Sequence, residues 1–153
     1  MTPLRLSFLT AALLLTLPAA AQVTVTDPWV RGTVAGQMAT GAFMQLKSAK
    51  DARLVEARSP VAGVVEIHEM ALVDNIMRMR AVPALDLPAG RAVELKPGGY
   101  HVMLMDLKQQ VKEGDVVPVS LVIESGGRRE TIEVKASVRA PTARSDPMKK
   151  HGG

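Results

Sequence analysis

The sequence predicts an all-β domain, built as a sandwich or barrel of about eight to nine short strands. Three observations support this prediction. Apolar and polar residues alternate in short runs, as they do along strands that have one buried face. Turn-forming residues separate these runs at intervals of roughly ten residues. No segment after the N-terminal apolar stretch shows the apolar spacing of a long helix.

The first half of the domain contains four predicted strands. The first begins with a Val-Thr-Val-Thr alternation, and the third stops at Ser59-Pro60, which is a turn signal. In the fourth, Glu66, His68 and Met70 fall on one face, because side chains alternate along a strand. These four predicted strands span residues 23–30, 42–47, 53–58 and 64–70.

The second half contains five predicted strands. Asp74-Asn75 is a turn signal that precedes the first of them. Residues 83–90 are expected to form a loop, which could be mobile and give access to a site. Gly114-Asp115 separates two later runs, and Ser125-Gly126-Gly127 indicates a hairpin. These five predicted strands span residues 76–82, 92–96, 100–107, 116–124 and 130–138.

The N-terminal stretch has the pattern of a secretory signal peptide. Residues 1–5 carry one positive charge, residues 6–17 are predominantly apolar, and residues 18–21 are Pro-Ala-Ala-Ala. Such a segment is too short to span a membrane stably, and it is removed by cleavage, which we place after Ala21. We therefore expect residues 1–21 to be the signal, residues 22–139 an exported, soluble domain, and residues 140–153 a flexible tail.

Composition excludes several classes of site. The chain has no cysteine, so disulfides, zinc fingers, thiolate-bound iron–sulfur clusters and blue-copper centres are all excluded. The formal net charge of +4 is mild, and aromatic residues make up only 3% of the sequence. Binding of single-stranded nucleic acid commonly depends on aromatic stacking platforms, so the composition argues against that function.

One predicted strand carries a pair of candidate metal ligands. Gly98 and Gly99 supply a turn, and the apolar run after them places His101 and Met103 on one face, roughly 7 Å apart. An imidazole and a thioether directed at one point suit a soft ion, above all Cu(I). Five of the nine methionines and two of the three histidines fall between residues 68 and 105, so a second such pair is available from residues 68–79.

Each of these residues also has an ordinary structural explanation. A single histidine such as His68, which stands next to Glu69, is more often exposed or hydrogen-bonded than a ligand. Methionines such as Met77 and Met79 commonly fill gaps in a core. A convergent set of two imidazoles and two thioethers would instead be uncharged, and it would favour Cu(I) over Cu(II) and over hard ions.

The spacing of four of these residues resembles a known family signature. The pattern H-x10-M-x21-H-x-M of the periplasmic copper A chaperone family, PCu(A)C, is matched by His68, Met79, His101 and Met103. Ten residues separate the first two, twenty-one the second and third, and one the last two. The local sequences are similar too, with Val-Glu-Ile-His-Glu-Met at 65–70, Met-Arg-Met-Arg at 77–80 and Pro-Gly-Gly-Tyr-His-Val-Met-Leu-Met at 97–105. The similarity includes Trp29-Val-Arg and extends over most of residues 23–138.

The resemblance implies a cupredoxin-like Greek-key β-barrel that binds one Cu(I) near its surface and has no catalytic activity. By position in the motif, His68, Met79, His101 and Met103 would be the ligands. Met70 and Met77 lie in the same part of the motif, and we expect them to pack beside the ligands or in the core. The resemblance also implies a periplasmic protein that delivers copper toward the copper A site of cytochrome c oxidase, alone or with a Sco-type protein.

Other interpretations stay open at this stage. In the tail, Met148 and His151 could capture a second copper weakly, or the tail could be merely solvated. A copper storage or resistance protein would carry the same ligands as a chaperone. A redox or hydrolytic enzyme is disfavoured, because the chain has neither a thiol nor a recognisable Ser-His-Asp or paired-carboxylate signature. A plain β-sandwich adhesion module would be indifferent to Cu(I), whereas a binder would be stabilised by it.

Overall fold

The computed structural model describes residues 23–143 of the chain. This part consists of ten strands joined by turns and loops, without an α-helix among the described residues. The expected signal peptide, most of the expected tail, and the candidate residues Met148 and His151 lie outside this range. The strands are β1 Val23–Arg31, β2 Ala39–Ser48, β3 Ala52–Arg58, β4 Ala62–Val73, β5 Ile76–Ala81, β6 Leu85–Leu87, β7 Ala92–Leu95, β8 His101–Leu107, β9 Val116–Ser125 and β10 Arg128–Arg139.

The predicted all-β class is confirmed, and all nine predicted strands are present. The prediction of a plain loop at residues 83–90 was wrong, because β6 lies inside it. Leu85 and Leu87 are buried and flank an exposed Asp86, and they pair with Leu54 and Ala52 of β3. Three residues are too few to show a period of two, so the sequence pattern could not separate this short strand from a loop.

All ten strands belong to one hydrogen-bonded sheet. Their order is β5-β4-β8-β2-β1-β10-β9-β3-β6, and β7 pairs with the second half of β2. Every pair is antiparallel except β1 with β10, which run parallel from Trp29 opposite Ser137 to Arg31 opposite Arg139. No segment among residues 23–143 forms a helix that could cross a membrane.

The two halves of this sheet share one apolar core. Its cluster of buried residues draws on strands from both halves of the strand order, so the sheet folds over this core and does not lie flat. Burial of these side chains is the main favourable term in folding. The largest fully buried side chains are Leu46, Leu54, Leu87, Leu95, Leu104, Leu121 and Ile123.

The core determines which side chains point away from it. Val102 and Leu104 of β8 are completely buried in the core cluster. His101 and Met103 alternate with them and therefore project from the opposite face. Ile67 is the corresponding core residue of β4, and it places its neighbours on the same outer side. We call this outer surface of β5, β4, β8 and β2 the site face.

Candidate metal site

Two histidines face each other across neighbouring strands of the site face. His68 of β4 is directly opposite His101 of β8 in the antiparallel register. Their ring centroids are 5.7 Å apart, and the rings meet edge to face at 66°. Both residues are buried, with 9% of His68 and 6% of His101 exposed. Two of the four predicted ligands are therefore brought together by strand pairing alone.

The hairpin of β4 and β5 adds the first methionine. Met79 of β5 lies opposite Met70 of β4, and its Sδ is 3.3 Å from Nε2 of His101. A tetrahedral ion with bonds of about 2.0 Å to nitrogen and about 2.3 Å to sulfur would hold these two atoms about 3.5 Å apart. The observed separation thus suits one ion shared by both donors. Met79 is 48% exposed, so this side of the pair is open to solvent.

The second methionine lies on the same face of β8. Met103 is opposite Gly41 on β2 and Glu66 on β4. It contributes to the wall of a cavity of about 270 Å³ together with Met70, Met79 and His101. His68 does not line this cavity, and its ring centroid is 5.7 Å from that of His101, which does line it. The full lining is Arg31, Gln37, Ala39, Thr40, Gly41, Phe43, Met70, Met79, Pro97, Gly98, His101 and Met103.

A backbone contact determines the tautomer of His101, and burial is the main cause of its lowered pKa. Its Nδ1 is 3.1 Å from the carbonyl oxygen of Gly99, which can only accept a hydrogen bond, so Nδ1 carries the proton. The lone pair of Nε2 then faces Met79. Burial lowers the pKa of His101, and the hydrogen bond to Gly99 opposes this effect, while the charges of His68 and Arg31 add to it. The lowered pKa favours the neutral imidazole, which is the form that binds a metal.

A carboxylate orients the other histidine. Nε2 of His68 is 2.7 Å from Oε2 of Glu66, so Nε2 donates to the carboxylate. Nδ1 of His68 is buried and has no hydrogen-bond partner among the described residues. A buried nitrogen without a partner is unusual in a folded protein and needs an explanation. Ligation of a metal by this atom, with Glu66 supporting the opposite nitrogen, would supply one.

An aromatic stack supports the histidine pair from the β2 side. The ring of Phe43 lies over Gly41, where a Cβ atom would come within 2.6 Å of the ring. Its centroid is 6.2 Å from that of His101 and 4.5 Å from the nearer ring centroid of Trp29. The sequence pattern did not indicate that Phe43, Gly41 or Arg31 belongs to the site. The alternation of β2 around the core residue Ala42 could have placed Phe43 on the site face.

The two remaining methionines of the motif have different positions. Met70 lines the cavity next to Met79. Met77 lies opposite Leu72 near the end of the hairpin, is 51% exposed and does not line the cavity. It is therefore not a core residue.

Carboxylate-rich sites offer no alternative in this part of the molecule. Between residues 23 and 143, no group of three or more His, Cys, Asp or Glu side chains is arranged to hold a metal ion. The two histidines become a potential metal site only when thioether sulfur atoms are counted as donors. Such a mixed nitrogen and sulfur set favours a soft ion.

Comparison with known sequences identifies a family match. A family model described as "Putative lipoprotein LpqE-like" matches residues 23–138. A relative from Leifsonia xyli subsp. xyli (strain CTCB07), described as "Putative lipoprotein Lxx21020", is 34% identical over 121 residues and aligns with 72% of each chain.

Copper-bound domains are among the solved structures with a similar fold. A copper-bound PCuAC domain from PmoF2 is 25% identical, with a TM-score of 0.63, over 80% of this chain and 97% of that domain. The Cu(I) form of DR1885 from Deinococcus radiodurans is 29% identical, with a TM-score of 0.56, over 86% of this chain and 84% of the other. The expected cupredoxin-like fold is thereby confirmed.

Proposed function

Because this chain belongs to the LpqE-like family and is a PCu(A)C-type domain, we propose that it is an exported copper chaperone that binds one Cu(I). The proposed ligands are His68, Met79, His101 and Met103. The observation that carries this proposal is the 3.3 Å approach of Met79 Sδ to His101 Nε2 in the wall of a cavity that also contains Met103.

The chemistry of the donors supports Cu(I) as the cargo. Neutral imidazole and thioether groups bring no negative charge to offset a divalent ion, and thioethers are soft donors that suit monovalent copper. The cavity lining contains neither aspartate nor glutamate, so hard ions such as Mg²⁺ or Ca²⁺ lack their preferred oxygen ligands. Thioethers also do not titrate, and only the imidazoles must be unprotonated for binding.

Anaerobic titration with Cu(I), followed by X-ray absorption, tests the proposed ligand set. We expect one copper per domain, with two nitrogen and two sulfur neighbours. A site with only oxygen and nitrogen neighbours, or no saturable binding, would contradict the proposal. A gain in thermal stability on adding Cu(I) is expected as well, because a ligand that binds only the folded state stabilises it by mass action.

Release of the ion to a partner is the second part of the proposal. Met79 is half exposed and lies on β5, which is an edge strand whose residues are all exposed. A ligand from a partner can therefore approach the ion from this side while Met79 leaves it. Residues 83–90 are not expected to act as a mobile loop that opens the site, because β6 within them is paired with β3 and packs in the core. The exposed side of Met79 already gives access to the ion.

We propose the copper A domain of cytochrome c oxidase, or a Sco-type copper protein, as the recipient. Mixing the copper-loaded protein with an apo copper A domain should produce the coloured binuclear centre. The alternative function, periplasmic storage or resistance, has the same ligand set but predicts that the copper stays in place in this experiment. Neither function requires catalysis, and we propose that the protein is not an enzyme.

The location of the protein is proposed from two features. The N-terminal pattern of residues 1–21 is that of an export signal, and relatives carry lipoprotein names. We therefore propose a periplasmic location. An auxiliary, weaker copper site at Met148 and His151 is tested by deleting residues 147–153 and titrating with Cu(II).

A further inference from the structure

One arginine lies in the wall of the candidate copper cavity. Arg31 follows Val30, which is completely buried in the core, so its side chain projects on the opposite face of β1. Its guanidinium carbon is 5.4 Å from the centroid of the Phe43 ring. Arg31 also lines the same cavity as Met79 and His101. A permanent positive charge therefore stands beside the proposed position of a cation.

This charge has little local compensation. No carboxylate within residues 23–143 forms a salt bridge with Arg31. Its Nη2 donates a hydrogen bond to the carbonyl oxygen of Ala143, and its Nε is buried without a partner in the described part of the chain. Glu66, which forms a hydrogen bond with His68, does not line the cavity and has a side chain that is 43% exposed. Solvent therefore screens Glu66.

The neighbouring arginine provides a natural comparison. Arg139 lies directly beside Arg31 in the parallel register of β1 and β10. It stacks over Trp29 at 4.8 Å and forms an ion pair of 2.5 Å with Asp27. Arg139 does not line the cavity. The two arginines thus share a face of the sheet, but only Arg139 has a carboxylate partner and only Arg31 lines the cavity.

We propose that Arg31 is a specificity-determining residue that makes the cavity discriminate against divalent copper in favour of monovalent copper. This inference rests on the proposed function. A cavity of the observed volume is about 8 Å across, and at this distance one unit charge still repels another appreciably at the intermediate effective dielectric constant of a site near the protein surface. The repulsion between Arg31 and Cu(II) is twice that between Arg31 and Cu(I), because the energy is proportional to the charge of the ion. The extra unit shifts the relative affinity by about tenfold toward Cu(I).

The physical role of this discrimination follows from redox chemistry. A tenfold change in the affinity ratio of the two oxidation states raises the one-electron reduction potential of the bound copper by about 59 mV. Arg31 thereby favours the Cu(I) state of copper held in this cavity. The thioethers contribute to the same preference through their softness, whereas Arg31 contributes through charge alone. The two contributions can therefore be separated by substitution.

The test compares Arg31→Gln, Arg31→Lys and Arg139→Gln in the full chain, with the reduction potential of the bound copper measured by protein voltammetry. We expect Arg31→Gln to lower the potential by about 59 mV, which corresponds to a tenfold shift toward Cu(II). Arg31→Lys keeps the charge and should retain most of the wild-type potential. Arg139→Gln should change it little, because that charge is paired with Asp27 and lies outside the cavity.

Two results would overturn the inference. One is an unchanged potential in Arg31→Gln. The other is an equal fall in Arg31→Gln and Arg31→Lys, which would show that Arg31 acts through packing and not through charge. Circular dichroism and Cu(I) affinity of each variant confirm that the site is intact, since a purely structural loss would weaken both oxidation states equally. Absence of Cu(I) binding in the wild-type protein would instead refute the proposed function itself.

Discussion

Sδ of Met79 and Nε2 of His101 are 3.3 Å apart, although the two residues belong to strands that do not pair with each other. Strand β4 lies between them and pairs with β5 on one side and β8 on the other. The contact between these two side chains therefore crosses the outer face of β4. His68, which sits on that strand opposite His101, is enclosed by the same arrangement.

Replacement of Met79 by leucine should abolish tight Cu(I) binding without unfolding the protein. The side chain is half exposed, so we expect the free energy of unfolding to change by no more than about 0.5 kcal/mol. Loss of a direct ligand should lower Cu(I) affinity by at least about 100-fold, which is the upper end for groups that merely support a ligand. Competition with a Cu(I) chelator measures this. Met77→Leu, a similarly exposed methionine of β5 outside the cavity, is the matched control, and equal affinities of the two variants would exclude Met79 as a ligand.

Replacement of Glu66 by glutamine should weaken copper binding through His68. The carboxylate accepts a hydrogen bond from Nε2–H and so leaves Nδ1 unprotonated, and loss of such a partner commonly costs about 10–100-fold in metal affinity. Glu69→Gln is the matched control, since Glu69 is on the opposite face of β4 and pairs with Arg80. Nitrogen NMR of the imidazole should show a changed tautomer of His68 in Glu66→Gln only. A Glu66 variant with wild-type tautomer and affinity would contradict this role.

The stability of the apo protein should fall as the pH drops below the ordinary pKa of a histidine. The pKa of His101 is lowered in the folded state, chiefly by burial, so the unfolded chain binds a proton on this residue at a higher pH than the folded chain does. The contribution of His101 to the free energy of unfolding is therefore complete above pH 6.5 and decreases below it. It levels off once the pH is lower than the pKa of His101 in the folded protein. Urea unfolding between pH 7.5 and 5 measures this, and His101→Gln should remove that part of the slope. An unaltered slope in the variant would show that other groups cause it.

Alanine at position 41 should disturb both stability and copper binding. A Cβ atom there would lie 2.6 Å from the ring of Phe43, which is buried and packs against His101. Forced displacement of a buried side chain typically costs about 1–3 kcal/mol. A double-mutant cycle with Phe43→Leu provides the control, because leucine lacks the clashing ring atom. Additive effects in the cycle, measured by chemical unfolding, would mean that the two positions do not interact.

Truncation of Leu87 should show that residues 83–90 are structured. The side chain is completely buried, so Leu87→Ala should lower the free energy of unfolding by about 2–5 kcal/mol. Asp86→Ala, between the two buried leucines, is the control and should change stability by less than about 0.5 kcal/mol. Amide hydrogen exchange of residues 85–87 should be slow in the wild-type protein. Fast exchange and a small effect of Leu87→Ala would restore the interpretation of this segment as a mobile loop.

Local alternation in the sequence determined much of what is seen here. It predicted an all-β chain, the nine longer strands, and the common face of His101 and Met103, because side-chain direction along a strand depends only on the parity of residue number. The spacing of the motif also indicated four candidate ligands before any tertiary contact was known. These properties belong to single strands and short turns, and they require no knowledge of which strands pair.

The tertiary structure alone determined which strands pair and which side chains form the site. The pairing of β4 with both β5 and β8 brings Met79 onto His101, and the pairing of β1 with β2 places Arg31 and Phe43 in the same cavity wall. The short strand β6 forms because it pairs with β3 and because Leu85 and Leu87 pack in the core. Contacts between residues far apart in the chain depend on strand order and register, and these are set by burial across the whole domain, which no local pattern encodes.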